Sequence, residues 1–133
     1  MMIKTKDEVN SFLNVLQELI NQSFENLIVI KRTKGNDKTR KFQNEYGIEH
    51  KRIWEEILRL DISNYSETDK DNGVGWTGEV WIFGLMMEVA QNQYMEVYVK
   101  LKLRDIVLCL SLHPKEYDIK YPYNWYRQLH IAF

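Results

Sequence analysis

The chain has a single cysteine, Cys109, and two prolines in 133 residues. One cysteine excludes an intrachain disulfide and every metal site built from paired cysteines. A reducing compartment is the expected setting. No apolar run approaches the about 20 residues that cross a bilayer. The opening "MMIKTKDEVN" lacks the apolar stretch of a secretory leader, so a cytoplasmic protein with no membrane partner is expected. No glycine-rich phosphate loop and no nucleophile-elbow glycines occur, which leaves nucleotide hydrolysis and serine-hydrolase chemistry without support. His50 and His130 have no partner at metal-ligand spacing and are expected to be surface or structural residues. No metal and no cofactor are expected. Repeats, linkers and low-complexity segments are also missing, so residues 1–133 should form one domain.

What is present points to a well-built core. Apolar residues make up 44% and charged residues 28%, with four Trp and eight Tyr, which argues against disorder. Net charge is −1, but it is unevenly spread. Lys31 to Arg52 holds eight Lys/Arg against three Asp/Glu. Trp54 to Glu96 holds two against nine, and Val97 to Phe133 six against three. Such blocks either polarise the surface or form ordinary solvated faces.

Thr5 to Gln22 has the spacing of an amphipathic helix, with Val9, Phe12, Leu13, Leu16, Leu19 and Ile20 on one side. Thr5 and Glu8 form a capping-box pattern at its start. "NLIVI", Asn26 to Ile30, reads as a short strand. The basic "KRTKGNDKTRK" around Gly35 is a loop. Lys38 to Tyr46 reads as a helix stopped by Gly47, and Glu49 to Leu60 as another. Two short helices about a glycine could form a DNA-binding pair, but plain packing is the commoner use. Asp61 to Gly78 has no period and reads as a long loop with one helical turn near Asp61. "EVWIFGLMMEV", "MEVYVKLKLR" and "IVLCLSLH" then alternate as three antiparallel strands, with turns at Ala90–Tyr94 and Arg104–Asp105. Helices followed by strands predict an α+β fold, an antiparallel sheet with the N-terminal helices on one face.

The last hairpin carries the chemistry. A two-residue turn at Arg104–Asp105 would face Leu103, Leu101, Val99 and Val97 with Ile106, Leu108, Leu110 and Leu112. The opposite side would then pair Lys102 with Val107, Lys100 with Cys109, Tyr98 with Ser111, and Glu96 with His113. Cleavage of RNA without a metal needs a base for the 2′-OH, an acid for the 5′-oxygen, and cations for the phosphate. His113 can exchange a proton near neutral pH. Lys100 and Lys102 can hold phosphate, Tyr98 can hydrogen-bond it or stack on a base, and Glu96 can orient His113. A solvated sheet face also shows Lys, Tyr, Ser and Glu as a matter of course.

"GEVWIFG" (Gly78 to Gly84) and "VYVKLKLRDIVLCLSLHPKEYDIKYPY" (Val97 to Tyr123) resemble the MqsR-like toxins of type II toxin–antitoxin systems, in the style of low-GC Gram-positive bacteria. "YGIEHKRIWEEILRLDISNYSETDKDNG", Tyr46 to Gly73, resembles the same family. The resemblance implies a RelE/MqsR-like fold and a metal-independent mRNA endoribonuclease inhibited by a cognate antitoxin. It implies catalytic roles for Tyr98 and His113, with Lys100 the next participant. Ser111, Lys102, Glu96 and Lys115 would support the site or bind RNA. Arg40 and Lys41 are either phosphate contacts or a solvated helix face. Some members of the family carry Lys at the position of His113. A Lys expected after Tyr65 is replaced by Ser66 and Glu67, and a Gln beside the strand Trp by Ile82. Lys70 or the basic loop would then have to complete the site.

Those replacements leave a second reading open, a non-catalytic RNA- or protein-binding module. A third is surface mimicry by the acidic block. The aromatic tail of Tyr117, Tyr121, Tyr123, Trp125 and Tyr126 would cover the end of the sheet or meet a partner. Trp54 and Trp81 are expected in the core, and Trp76 packs under its loop or stacks on a base.

Overall fold

The computed structural model describes residues 1–71 and 77–124. Helix α1 spans Lys6–Gln22, and its capping box forms. Thr5 Oγ1 accepts from the Glu8 amide at 3.2 Å, and Glu8 Oε1 from the Thr5 amide at 3.0 Å. Helix α2, Lys38–Tyr46, stops where Gly47 turns left-handed at φ 64°, a conformation that costs glycine nothing. Helix α3 spans His50–Leu58 and buries Ile53 and Ile57. Helix α2 packs on the sheet and α3 on α1, so both apolar stripes serve packing.

Among the described residues five strands form one sheet: β1 Leu27–Val29, β2 Tyr65–Lys70, β3 Glu79–Ala90, β4 Gln93–Leu103 and β5 Val107–Pro114. Their order is β1-β5-β4-β3-β2. The fold is α+β, as expected. Strands β2 to β5 pair antiparallel, whereas β1 runs parallel to β5, so the sheet is mixed. A three-residue strand carries no sign of its direction in its own residues.

Strand β2 replaces much of the long loop expected over Asp61 to Gly78. A 3-10 turn at Ile62–Asn64 precedes it, near the expected place. The strand is polar because it lies towards the sheet's edge and buries only Tyr65, Ser66 and Thr68. A bulge at Ser66 breaks the register. It lets Tyr65 and Thr68, three residues apart, both face inward, where Tyr65 Oη meets Thr68 Oγ1 at 2.8 Å.

The inward face presents Phe83, Leu85, Met87, Val97, Val99 and Leu101 to the apolar stripe of α1 and to Ile53 and Ile57. Trp81 stacks on Phe12 with centroids 4.2 Å apart. Trp54 packs on the same core and donates its indole N–H to the Ile20 carbonyl at 3.0 Å.

The expected hairpin register is corrected by the structure. The turn takes three residues, closed by the Arg104 amide on the Ile106 carbonyl at 2.9 Å. Leu103 therefore faces Val107, Lys102 faces Leu108 and Leu101 faces Cys109. A second bulge, at Leu110, shifts the phase, so that Lys100 faces Ser111, Val99 faces Leu112 and Tyr98 faces His113. Val107, Cys109 and Leu112 form the inward set; of the expected Ile106, Leu108, Leu110 and Leu112, Leu112 alone belongs to it. The two-residue turn kept four apolar pairs together without a bulge, but it turned Val107 and Cys109 outward. The actual turn costs one bulge and puts Cys109 in the inward core in place of Leu108, which is nonetheless buried at 7% exposure.

Candidate active site

The outward face of the sheet is not the solvated surface its polar residues suggest. Residues 115–124 double back across it as an irregular strap. Tyr121 lies directly over Gly84 of β3, where an added Cβ would sit 2.1 Å from its hydroxyl oxygen. A glycine inside a strand often marks such a close approach. The Tyr121 hydroxyl donates to Glu96 Oε2 at 2.7 Å. Lys115 Nζ meets Glu96 Oε1 at 3.0 Å, and this carboxylate raises the Lys115 ammonium above its ordinary value. At the far end, Tyr123 stacks on Tyr65 with centroids 6.0 Å apart and donates to the Lys4 carbonyl.

Between this strap, the start of α2 and the sheet lies an open cavity of about 810 Å³. Tyr98, Ser111 and His113 line it together with Ile82, Ser66 and Glu67. Such a volume is of the size that holds a small ligand or a few linked groups. Tyr98 and His113 stand directly opposite each other on β4 and β5, with ring centroids 5.4 Å apart and planes inclined by 26°. His113 is 9% exposed. Its Nδ1 lies 2.9 Å from the Pro114 carbonyl. A carbonyl only accepts, so Nδ1 carries the proton and Nε2 of the neutral ring keeps its lone pair. Burial raises the Tyr98 phenol, and the carboxylates of Glu67, Asp69 and Glu116 raise it further. Tyr98 is therefore a protonated donor at neutral pH rather than a phenolate.

The strand that carries His113 is anchored by α2. Thr39, 5% exposed, accepts the Leu112 amide on its hydroxyl oxygen at 2.9 Å. That amide belongs to the residue between Ser111 and His113, so the bond fixes the strand next to both.

The remaining site residues divide. Ser111, 7% exposed, sits beside the Tyr98–His113 pair. Lys100 faces Ser111 and Ile82 on the same side of the sheet but does not line the cavity. Lys102 is 2% exposed and binds Asp71 Oδ2 at 2.6 Å and the Thr77 carbonyl. Its charge holds together the two described ends of the 71–77 segment. Glu96 does not face His113, because the shifted register puts Val97 opposite Pro114. Its carboxylate is engaged by Tyr121 and Lys115. Arg40 and Lys41 are exposed on α2, away from the cavity. Lys70, at the exposed end of β2, does not line it either.

The cavity's cations come from elsewhere: Arg32, Lys38 and Lys120, balanced by Glu67, Glu116 and Asp118. Arg32 and Lys38 belong to the basic block legible in the sequence. Glu67, Glu116 and the strap's path over Gly84 were not foreseen. The one available signal was Gly84 itself, a glycine in the middle of an apolar strand.

His50 is structural. Its Nε2 lies 2.8 Å from the Leu27 carbonyl and its ring packs on Phe24. Tyr117 is 85% exposed, whereas Tyr121 is buried at 6%. Trp76, Trp125, Tyr126 and His130 lie outside the described residues. Among the described residues no three His, Cys, Asp or Glu side chains are grouped to hold a metal ion. None of the described helices is long and apolar enough to cross a membrane. No protein-family model, curated protein or solved structure matches the chain.

Proposed function

We propose that this protein is a metal-independent endoribonuclease of the toxin type, acting on mRNA in the cytoplasm and restrained by a cognate antitoxin protein. The observation that carries the reading is the Tyr98–His113 pair, opposed on rigid strands at one wall of a cavity edged by Arg32 and Lys38. In the proposed reaction His113 Nε2 takes the proton from a ribose 2′-OH. The 2′-oxygen forms its bond to phosphorus as the bond from phosphorus to the 5′-oxygen breaks. Solvent protonates the departing 5′-oxygen, and the products are a 2′,3′-cyclic phosphate and a 5′-OH. Tyr98 donates to a non-bridging oxygen, where negative charge gathers. Lys100, one step along β4, adds positive charge behind the pair.

The test is cleavage of a long single-stranded RNA by the purified full chain in excess chelator, with the ends mapped. General acid–base groups contribute typically 10²–10⁴-fold. His113→Ala should lower the rate by about that factor, with an unchanged circular dichroism spectrum. Cleavage that survives His113→Ala, or no cleavage of any long RNA, overturns the reading.

A second reading has its own support. The cavity's three cationic side chains are matched by three carboxylates, and Lys102 and Glu96 are committed to structural bonds. A non-catalytic binding module would have this balance. Induced expression separates the two, since the nuclease arrests growth and the binding module does not.

A further inference from the structure

We propose that the mouth of the cavity is a subsite for a phosphate group, formed by Lys38, Arg32 and His113, and that the protein's own Glu116 occupies it when no ligand is bound. Lys38 opens α2, and Glu116 lies in the strap 78 positions later. Their ion pair, at 2.5 Å, closes one side of the cavity that both residues line. The two side chains remain 44% and 47% exposed. A solvated pair of this kind holds little net stability, so an incoming anion can exchange for the carboxylate at small cost.

Three further observations fit a stand-in anion. The Lys38 hydrogen bond holds the Glu116 carboxyl below the usual range, with a weaker contribution from His113 in its protonated form. Arg32 and Lys120 line the same cavity, and among the described residues neither side chain forms an ion pair, although Asp37 accepts the Arg32 amide at 3.0 Å. Tyr98 and Ser111 supply hydroxyl donors on the cavity wall. A guanidinium, ammonium groups and hydroxyls lining one cavity, joined by the His113 imidazole when it is protonated, offer more donors than the two oxygens of a carboxylate can accept. A tetrahedral phosphate uses them better.

The strap cannot carry Glu116 far away. Lys115 and Tyr121 pin it on both sides to Glu96. When phosphate displaces the carboxylate, the side chain turns aside but its charge stays close. Glu116 is then a built-in competitor that sets the affinity of the subsite. Charged groups elsewhere around the subsite are Glu67 on β2, and Asp118 and Lys120 on the strap. The subsite stands whether the cavity cleaves RNA or only binds it.

The experiment titrates inorganic phosphate into the full chain at fixed pH and low salt. Binding is followed on the His113 imidazole signal by NMR, assigned by its loss in His113→Ala. Glu116→Gln keeps the shape and removes the competing charge, so phosphate should bind about tenfold tighter, the scale of one like charge a few ångströms away. Glu116→Lys should bind tighter still, and Lys38→Ala about tenfold weaker. A 2′-O-methyl dinucleotide, inert to 2′-OH attack, distinguishes phosphodiester from free phosphate as the preferred ligand. Equal affinities in wild type, Glu116→Gln and Glu116→Lys overturn the proposal. So does a His113 signal that responds to neither titrant in any variant. Because no RNA is cut in this assay, its failure is distinct from failure of the nuclease reading.

Discussion

Replacing Gly84 with alanine should lift the strap off the sheet. The added Cβ would lie 2.1 Å from the Tyr121 hydroxyl oxygen, 2.8 Å from Cζ and 3.0 Å from Ile119 Cδ1. None of these fits, and the Tyr121 ring has little room, since Tyr121 is 6% exposed. Displacing it breaks the charge-assisted bond to Glu96, worth about 1.5–3 kcal/mol. It also returns part of an aromatic side chain to water, about 1–2 kcal/mol. Alanine inside a strand recovers roughly 0.5–1 kcal/mol over glycine. The net cost is about 2–4 kcal/mol. Urea unfolding followed by tryptophan fluorescence measures it. The informative comparison is the double-mutant cycle with Tyr121→Ala. In the Tyr121→Ala background the clash is gone, and Gly84→Ala should be neutral or stabilising. If Gly84→Ala costs the same in both backgrounds, the strap is not what that glycine accommodates.

Four other outcomes follow from the same geometry. Thr39→Val removes the acceptor of the buried Leu112 amide and should cost about 1–3 kcal/mol in chemical denaturation. Lys102→Met leaves the mostly buried Asp71 carboxylate without its ammonium, and thermal melting should show a loss of about 3–5 kcal/mol, as when one partner of a buried pair is removed. Burial pushes the Cys109 thiol up to about 12, only partly offset by a backbone hydrogen bond of Ser111, so a thiol reagent at pH 8 should label the protein only after it unfolds. For Asp37, burial acts to raise the carboxyl, but the amides of Arg32 and Arg40 outweigh it and the net direction is down. Its contribution is therefore present above the unfolded Asp value of about 3.9 and is lost as pH falls through the lower folded value. Asp37→Asn should flatten that part of the acid-unfolding curve.

Much of the architecture is legible in short stretches of sequence. The capping box at Thr5 and Glu8, the Gly47 stop after α2 and the alternation of β4 are local signals. Each depends on interactions within a few residues, so each formed where expected. The hairpin shows where local reading stops. Its apolar pattern satisfied a bulge-free register on paper, and that register paired Glu96 with His113. The register that formed pairs Tyr98 with His113 instead.

The sequence by itself determined the helices, the strands other than β2 and the face of β4 that carries Tyr98, Lys100 and Lys102, because period-two alternation is a property of the strand alone. It also marked Tyr98 and His113 as the residues to watch. Only the tertiary structure decided that they meet. That depended on a bulge at Leu110, chosen by how β5 fits between β1, β4 and Thr39 of α2. The same holds for β2, whose polar residues form a strand only because β3 offers them partners, and for the parallel pairing of β1. The strap is the clearest case. Nothing near Tyr121 in the chain tells it to lie on Gly84. The space above a missing side chain and a carboxylate 25 residues away put it there, and with it the cavity that holds the candidate site.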